Sequence, residues 1–196
     1  INMKLIDLIV FLIPVISVLL YGGLFLREYS TGFIKLSISR TSRKKYAIGK
    51  VLETAIKSIA TYLLIGGIIL IIYTCFVYSI KEKQILPFTQ LLELILSLIR
   101  ISLIGAILSV FAGALSCIFL NAYMTYGLPL VVYYLLIVIK ERYLKDLYSI
   151  YPPEWISPKS YWGAGNWGLW VFLFLLLAIA MIIYRFFLEY RIEEIG

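Results

Sequence analysis

Long runs of apolar residues dominate the chain, and short polar stretches separate them. A helix that crosses a hydrocarbon layer of about 30 Å needs about 20 mostly apolar residues. The pattern predicts an all-α fold, a polytopic transmembrane helical bundle in which residues 1–196 form a single domain. Its five predicted spans cover residues 6–25, 51–78, 101–120, 126–139 and 167–187.

A polar stripe precedes the third predicted span. Within residues 87–100, Thr89, Glu93, Ser97 and Arg100 recur at helical spacing among leucines and isoleucines. This spacing predicts an interfacial amphipathic helix that leads into the span.

The longest region outside the apolar runs is 140–166, for which we predict a short helix at Glu141–Ile150. All four tryptophans lie in this region or just beyond it, at Trp155, Trp162, Trp167 and Trp170. Tryptophan favours the headgroup level of a bilayer, so this region marks one membrane face.

The loop of residues 27–50 connects the first two predicted spans. It contains one acid, Glu28, and seven basic residues: Arg27, Lys35, Arg40, Arg43, Lys44, Lys45 and Lys50. Basic residues concentrate in cytoplasmic loops, so we expect this loop inside and region 140–166 outside. The net charge of +7 then has a topological explanation. No basic stretch accompanies a soluble binding fold, so we expect no nucleic-acid partner.

The composition argues against an enzyme. Only 15% of residues are charged and none is histidine, which removes the commonest general base and zinc ligand. Cys75 and Cys117 lie inside apolar runs and are expected to pack there, without a disulfide or a metal. The only candidates for a membrane-embedded enzyme are carboxylates in region 140–166 that alternate with basic residues, which favours a solvated surface. They are Glu141, Asp146 and Glu154.

The same loop carries the candidate functional chemistry. Gly32 permits a turn, a basic run follows, and the apolar surface is contributed by Phe33, Ile34, Leu36 and Ile38. Exposed apolar groups on such a loop favour a protein partner or the bilayer surface. The alternative is an ordinary basic loop whose charges only fix the topology.

The order of residues in this loop resembles the loop after the second span in type-two permeases of ATP-binding cassette exporters. The matching positions are Glu28, Gly32, Leu36, Ser42-Arg43 and Gly49-Lys50. Phe33 replaces a threonine of the family pattern, and Arg40 stands where a proline is common. Such permeases have six spans and an outer re-entrant helical region before the last. The resemblance therefore implies one span before Ile1 and places the re-entrant region in 140–166.

The resemblance also implies a mechanism. Residues 31–41 would form a coupling helix that docks on a separate nucleotide-binding ATPase subunit, and ATP and Mg would bind to that partner. A second permease subunit, identical or related, would complete the exporter in the cell membrane of a bacterium, in contact with membrane lipid. The implied docking residues are Glu28, Gly32, Phe33, Leu36, Arg43, Gly49 and Lys50. Val51 follows Gly49-Lys50, so that pair does not fit a phosphate-binding loop, and this chain would be no enzyme.

Two features of the spans bear on the cargo. Tyr133 and Tyr134 either line a cavity or bond to a neighbouring helix. The spans hold almost no ionisable groups at mid-depth, whereas ion-coupled carriers normally contain them. This favours either an external energy source or a substrate that is itself amphipathic or lipid-like. For the exporter that the resemblance implies, an amphipathic peptide, a drug or a lipid-linked compound would suit the uncharged spans as cargo. The rival interpretation is a non-transporting membrane scaffold or immunity protein without an ATPase partner.

Overall fold

The chain folds into a bundle of long α-helices in the computed structural model, which describes residues 3–80, 88–163 and 167–195. A π-helical turn, Val18–Gly22, joins the first two helices, and a 3-10 turn, Tyr148–Ile150, precedes the seventh. The helices are α1 (Met3–Ser17), α2 (Leu24–Ser30), α3 (Phe33–Arg40), α4 (Arg43–Ile80), α5 (Phe88–Phe119), α6 (Ala122–Arg142), α7 (Pro152–Ile156) and α8 (Trp167–Ile195).

Five helical segments of the described chain are long and apolar enough to cross a membrane. They are Val10–Ser30, Arg43–Cys75, Thr89–Phe119, Ala122–Arg142 and Trp167–Glu194. The first of them combines α1, the π-helical turn and α2. The prediction of an all-α fold with five apolar helices of membrane-spanning length is confirmed, and this architecture is consistent with a multi-pass membrane protein.

The helix boundaries differ from the predicted ones. Helix α5 continues without a break through Arg100, so the separate amphipathic helix predicted before the third span is its first part. No glycine or proline lies between Phe88 and Gly105 to end a helix there. Pro87, the first residue of that predicted helix, lies outside the described residues.

The prediction of a helix at Glu141–Ile150 is wrong. Helix α6 continues to Arg142, and the chain then turns through residues 143–147 to the 3-10 turn. At its other end α6 begins earlier than predicted, because the side chain of Asn121 accepts a hydrogen bond from the Tyr123 backbone N–H at 2.9 Å. This cap satisfies one of the free donors at the helix start.

Helix α5 lies at the centre of the bundle and packs against α1, α2, α4, α6 and α8. Its small residues allow large aromatic rings to approach its backbone. A Cβ atom on Gly105 would lie 2.2 Å from the Tyr62 ring, and one on Gly113 would lie 2.8 Å from the Tyr184 ring. In a membrane, helices associate through such close packing because lipid tails are as apolar as leucine.

A chain of buried hydroxyl groups links α1, α4 and α5. The Tyr62 hydroxyl lies 2.6 Å from Ser17 Oγ and 2.8 Å from the carbonyl oxygen of Ile13. Ser58 and Ser109 are 3.0 Å apart, between α4 and α5. Each hydroxyl therefore finds a partner inside the bundle, as buried polar groups require.

The two ends of the bundle differ. The loop end contains α3 and the last turns of α5 and α8. At that end Arg191 Nε on α8 donates to the carbonyl oxygen of Cys117 on α5 at 3.0 Å. The opposite end contains residues 143–163, which fold back on the helices. There Arg100 Nε donates to the carbonyl oxygen of Ile156 at 3.1 Å. Helix α7 consequently packs against α1, α5 and α6.

The packing of α5 predicts different outcomes for two glycine substitutions. Gly105→Ala should lower stability by about 1–3 kcal/mol, because its methyl group would overlap the Tyr62 ring. Gly67→Ala is the control, because nothing lies within 4 Å of its added Cβ. Thermal unfolding of both purified variants in detergent measures the difference. Equal midpoints would contradict the close contact between α4 and α5.

Candidate functional site

A two-turn helix, α3, stands between the first two membrane-length segments at the loop end. Gly32 precedes it with φ of 71°, a left-handed conformation that favours glycine over residues with a Cβ atom. After Arg40 the backbone becomes extended at Thr41, and α4 begins at Arg43. The loop is thus a short ordered excursion with a defined entry and exit.

The two faces of α3 have different surroundings. Ile34 is only 1% exposed, and Ile38 on the same face packs against the core of the bundle. Phe33 is 53% exposed and Leu36 is 61% exposed. These two apolar side chains are three residues apart, so they lie next to each other on the helix surface. Burial of Ile34 fixes which face α3 presents outward.

Basic residues flank this exposed apolar pair along the chain. All of them are exposed, and none forms an ion pair with another part of the chain that the structure describes. Their positive charges therefore act on whatever approaches the loop end. They are Arg27, Lys35, Arg40, Arg43, Lys44 and Lys45.

The Glu28 carboxylate connects α2 to α4 behind this surface. Lys50 Nζ lies 2.5 Å from Glu28 Oε1, and the Tyr46 hydroxyl donates to Glu28 Oε2 at 2.6 Å. The Lys50 side chain is only 3% exposed and also lies 3.2 Å from Glu53. Lys57 contacts the other oxygen of Glu53 at 2.5 Å. This arrangement, the Glu28 cluster, comprises Glu28, Tyr46, Lys50, Glu53 and Lys57.

The residues of the predicted docking loop divide into two groups. Glu28 and Lys50 bind each other and face into the protein, so they hold the loop in place. Phe33, Leu36 and Arg43 are exposed on the outside. Gly32 supplies the left-handed turn, and nothing lies within 4 Å of an added Cβ atom at Gly49.

Sequence reasoning missed Tyr46 and Glu53. It also placed Ile34 and Ile38 on the exposed apolar surface of the loop, and this prediction is wrong, because Ile34 is buried and Ile38 packs against the core. A signal for Tyr46 and Glu53 was present, since Tyr46 precedes Lys50 by one helical turn and Glu53 follows it by three residues. Ile34 carried no such signal. Its burial depends on how α3 folds onto α4, which the loop sequence alone does not indicate.

Tyr133 and Tyr134 occupy different environments near the middle of α6. Tyr133 is buried between helices, and its hydroxyl has no hydrogen-bond partner among the described residues. The Tyr134 hydroxyl donates to the carbonyl oxygen of Phe11 at 2.9 Å. Tyr134 also lines a cavity of about 400 Å³ between α1, α6 and the segment around α7.

Two carboxylates lie on the wall of that cavity. Glu154 is only 8% exposed, and its Oε2 accepts from the backbone N–H groups of Lys159 and Ser160 at 2.8 and 3.2 Å. Glu141 is exposed, and its Oε1 accepts from the Tyr151 hydroxyl at 3.2 Å. Within the described chain, no three histidine, cysteine, aspartate or glutamate side chains converge as metal ligands would.

Comparison with known proteins found no family model that matches this sequence and no match among curated proteins. Function is therefore inferred from the residues of the chain itself.

The Glu28 cluster predicts strong coupling between its two central residues. Glu28→Gln should cost about 3 kcal/mol, because it leaves the Lys50 ammonium buried with only Glu53 close to it. Lys50→Met should have a similar cost. The double variant should lose clearly less stability than the sum, because it contains neither buried charge. Thermal unfolding in detergent provides the three values.

The control for this cycle is Glu189→Gln, which removes an exposed ion pair with Arg185 on α8. Its effect should stay below about 1 kcal/mol. Additive losses for Glu28→Gln and Lys50→Met would show that the two side chains act independently.

Proposed function

We propose that this chain is the membrane-spanning permease subunit of an ATP-driven exporter. In this proposal α3 is the coupling helix and docks on a separate nucleotide-binding ATPase subunit. The observation that carries the proposal is the exposed pair Phe33 and Leu36, presented on a short helix that the rest of the chain holds in place. This interpretation agrees with the resemblance of the loop to type-two permeases of ATP-binding cassette exporters.

The chemistry of the α3 surface suits a protein groove with an apolar floor and an acidic rim. Phe33 and Leu36 would enter the floor, and Arg40 and Arg43 would lie against the rim. A bilayer surface is a weaker fit, because helices that lie in the interface bury a broad apolar face along their length. Helix α3 has eight residues, and its isoleucines already face the protein.

Coupling would follow from how α3 is attached. The Glu28 cluster links the end of α2 to the start of α4, so movement of α3 would displace both membrane helices together. Binding and hydrolysis of ATP, with Mg, would take place on the partner subunit. Two permease subunits, identical or related, would then alternate between inward-open and outward-open states, and this chain would perform no chemistry.

The proposed orientation places the loop end in the cytoplasm of a bacterial cell and the segment around α7 outside. In this orientation the segment around α7 corresponds to the outer re-entrant region of the permeases that the loop resembles.

An amphipathic peptide, a drug or a lipid-linked compound suits the spans as cargo. Among the charged side chains of the spans, Glu53 and Lys57 form an ion pair near the loop end of α4. Membrane lipid would cover the exposed isoleucines of α4, which include Ile65, Ile68 and Ile72.

The docking role of α3 is tested by removing its exposed apolar pair. The double variant Phe33→Ser, Leu36→Ser should fold normally, because both side chains are exposed. The amount of nucleotide-binding ATPase that co-purifies should fall by about tenfold or more, because central apolar anchors dominate interface energies. ATP-dependent efflux of an amphipathic dye from membrane vesicles should fall with it.

A matched control is Leu64→Ser, Ile68→Ser, which alters two exposed apolar residues on α4 away from the loop. It should leave co-purification of the ATPase unchanged when protein amounts are equal. If the wild-type chain carries no ATPase and supports no ATP-dependent efflux, a non-transporting scaffold or immunity protein becomes the better interpretation.

A further inference from the structure

The cavity at the opposite end has the size and lining of a small-molecule site. Its volume of about 400 Å³ falls within the range of about 300–1,000 Å³ that is typical of ligand pockets. Three parts of the chain form its walls, namely α1, α6 and the segment around α7. Its lining includes Val10, Phe11, Ile137, Glu141, Glu154 and Lys159.

The lining changes from apolar to charged along α6. Tyr134, Ile137 and Glu141 are spaced by three and four residues, so they lie along one face of that helix. From Tyr134 to Glu141 the helix rises by about 10 Å, at about 1.5 Å per residue. Val10 and Phe11 of α1 lie on the wall at the apolar end. A molecule in this cavity would therefore meet an apolar region and a charged region a short distance apart.

The charged region favours a cationic group. Glu154 is already occupied, because both of its oxygens accept hydrogen bonds from residues 159 and 160. Glu141 makes one long hydrogen bond, at 3.2 Å to the Tyr151 hydroxyl. An ionised carboxylate has about four acceptor positions, so Glu141 retains capacity for a ligand. Lys159 is the one cation in the lining, against two carboxylates, and the Lys140 ammonium is engaged beside it, 4.3 Å from the centre of the Tyr151 ring.

We infer that this cavity binds an amphipathic molecule with a primary amine. The ammonium group would donate to the carboxylate of Glu141, and the apolar part would pack against Val10, Phe11 and Ile137. Binding requires no ATPase, whereas the identification of such amphiphiles as cargo rests on the proposed function. The proposal narrows the cargo to cationic amphiphiles and assigns them a site at the outer end.

A pair of matched probes tests the inference. The first probe is a decyl chain with a dansyl group at one end and a free primary amine at the other. It is compared with a probe of the same chain and label that ends in a hydroxyl group. Binding to the purified full chain in neutral maltoside micelles is followed by dansyl fluorescence, and the signal of empty micelles is subtracted. The amine probe should bind more tightly than the hydroxyl probe by about tenfold, because a hydrogen bond to a charged group is stronger than a neutral one.

Variants separate the two regions of the cavity. Glu141→Gln should weaken binding of the amine probe by about tenfold and leave the hydroxyl probe unchanged. Phe11→Ala should weaken binding of the amine probe and binding of the hydroxyl probe equally, because both have the same apolar chain. Glu189→Gln removes an equal charge at the loop end and should change neither. Thermal unfolding of each variant confirms that the fold is retained.

Several outcomes would overturn the inference. Equal binding of the two probes to the wild type would exclude recognition of the amine. An equal loss in Glu141→Gln and Glu189→Gln would indicate a general surface-charge effect. Saturable binding of the amine probe by a chain that co-purifies with no ATPase would support the cavity site and contradict the exporter. Co-purification of an ATPase without binding of the amine probe would support the exporter and contradict the cavity site.

Discussion

The carboxylate of Glu28 joins the ends of two membrane helices, and the shape of the loop end depends on it. Its two oxygens engage Lys50 and Tyr46, both on α4, while Glu28 itself lies on α2. The Lys50 ammonium is removed from water, so it requires this partner. With the ends of α2 and α4 held together, the intervening residues can form only a short excursion, and burial of Ile34 sets its orientation.

Away from the loop, the bundle is held by close packing around α5. Gly105 and Gly113 admit aromatic rings from α4 and α8, and buried hydroxyl groups bond between the helices. This packing joins the helices into one bundle, with α3 at one end and the cavity lined by α1, α6 and the segment around α7 towards the other. The proposed exporter uses both ends, with the motor at the first and the cargo at the second.

The sequence was sufficient for the number and type of the spans, because apolar length alone decides which helices can cross a bilayer. It failed where local signals compete. Arg100 suggested a boundary, yet its guanidinium bonds to Ile156 and α5 continues past it. The candidate docking residues were all visible as a pattern, but their division into the inward Glu28–Lys50 pair and the outward Phe33 and Leu36 depends on tertiary contacts. The cavity combines residues more than 140 positions apart, so no local pattern could indicate it.

The most direct test of the central claim is to find what touches α3 in the cell. A photo-cross-linking amino acid at Leu36 is activated in living cells, with the same group at Ile72 on the exposed face of α4 as the control. If α3 is the coupling helix, position 36 forms an adduct with a nucleotide-binding ATPase subunit and position 72 forms none. Adducts of position 36 with lipid alone, or equal ATPase adducts at both positions, would contradict that role of α3.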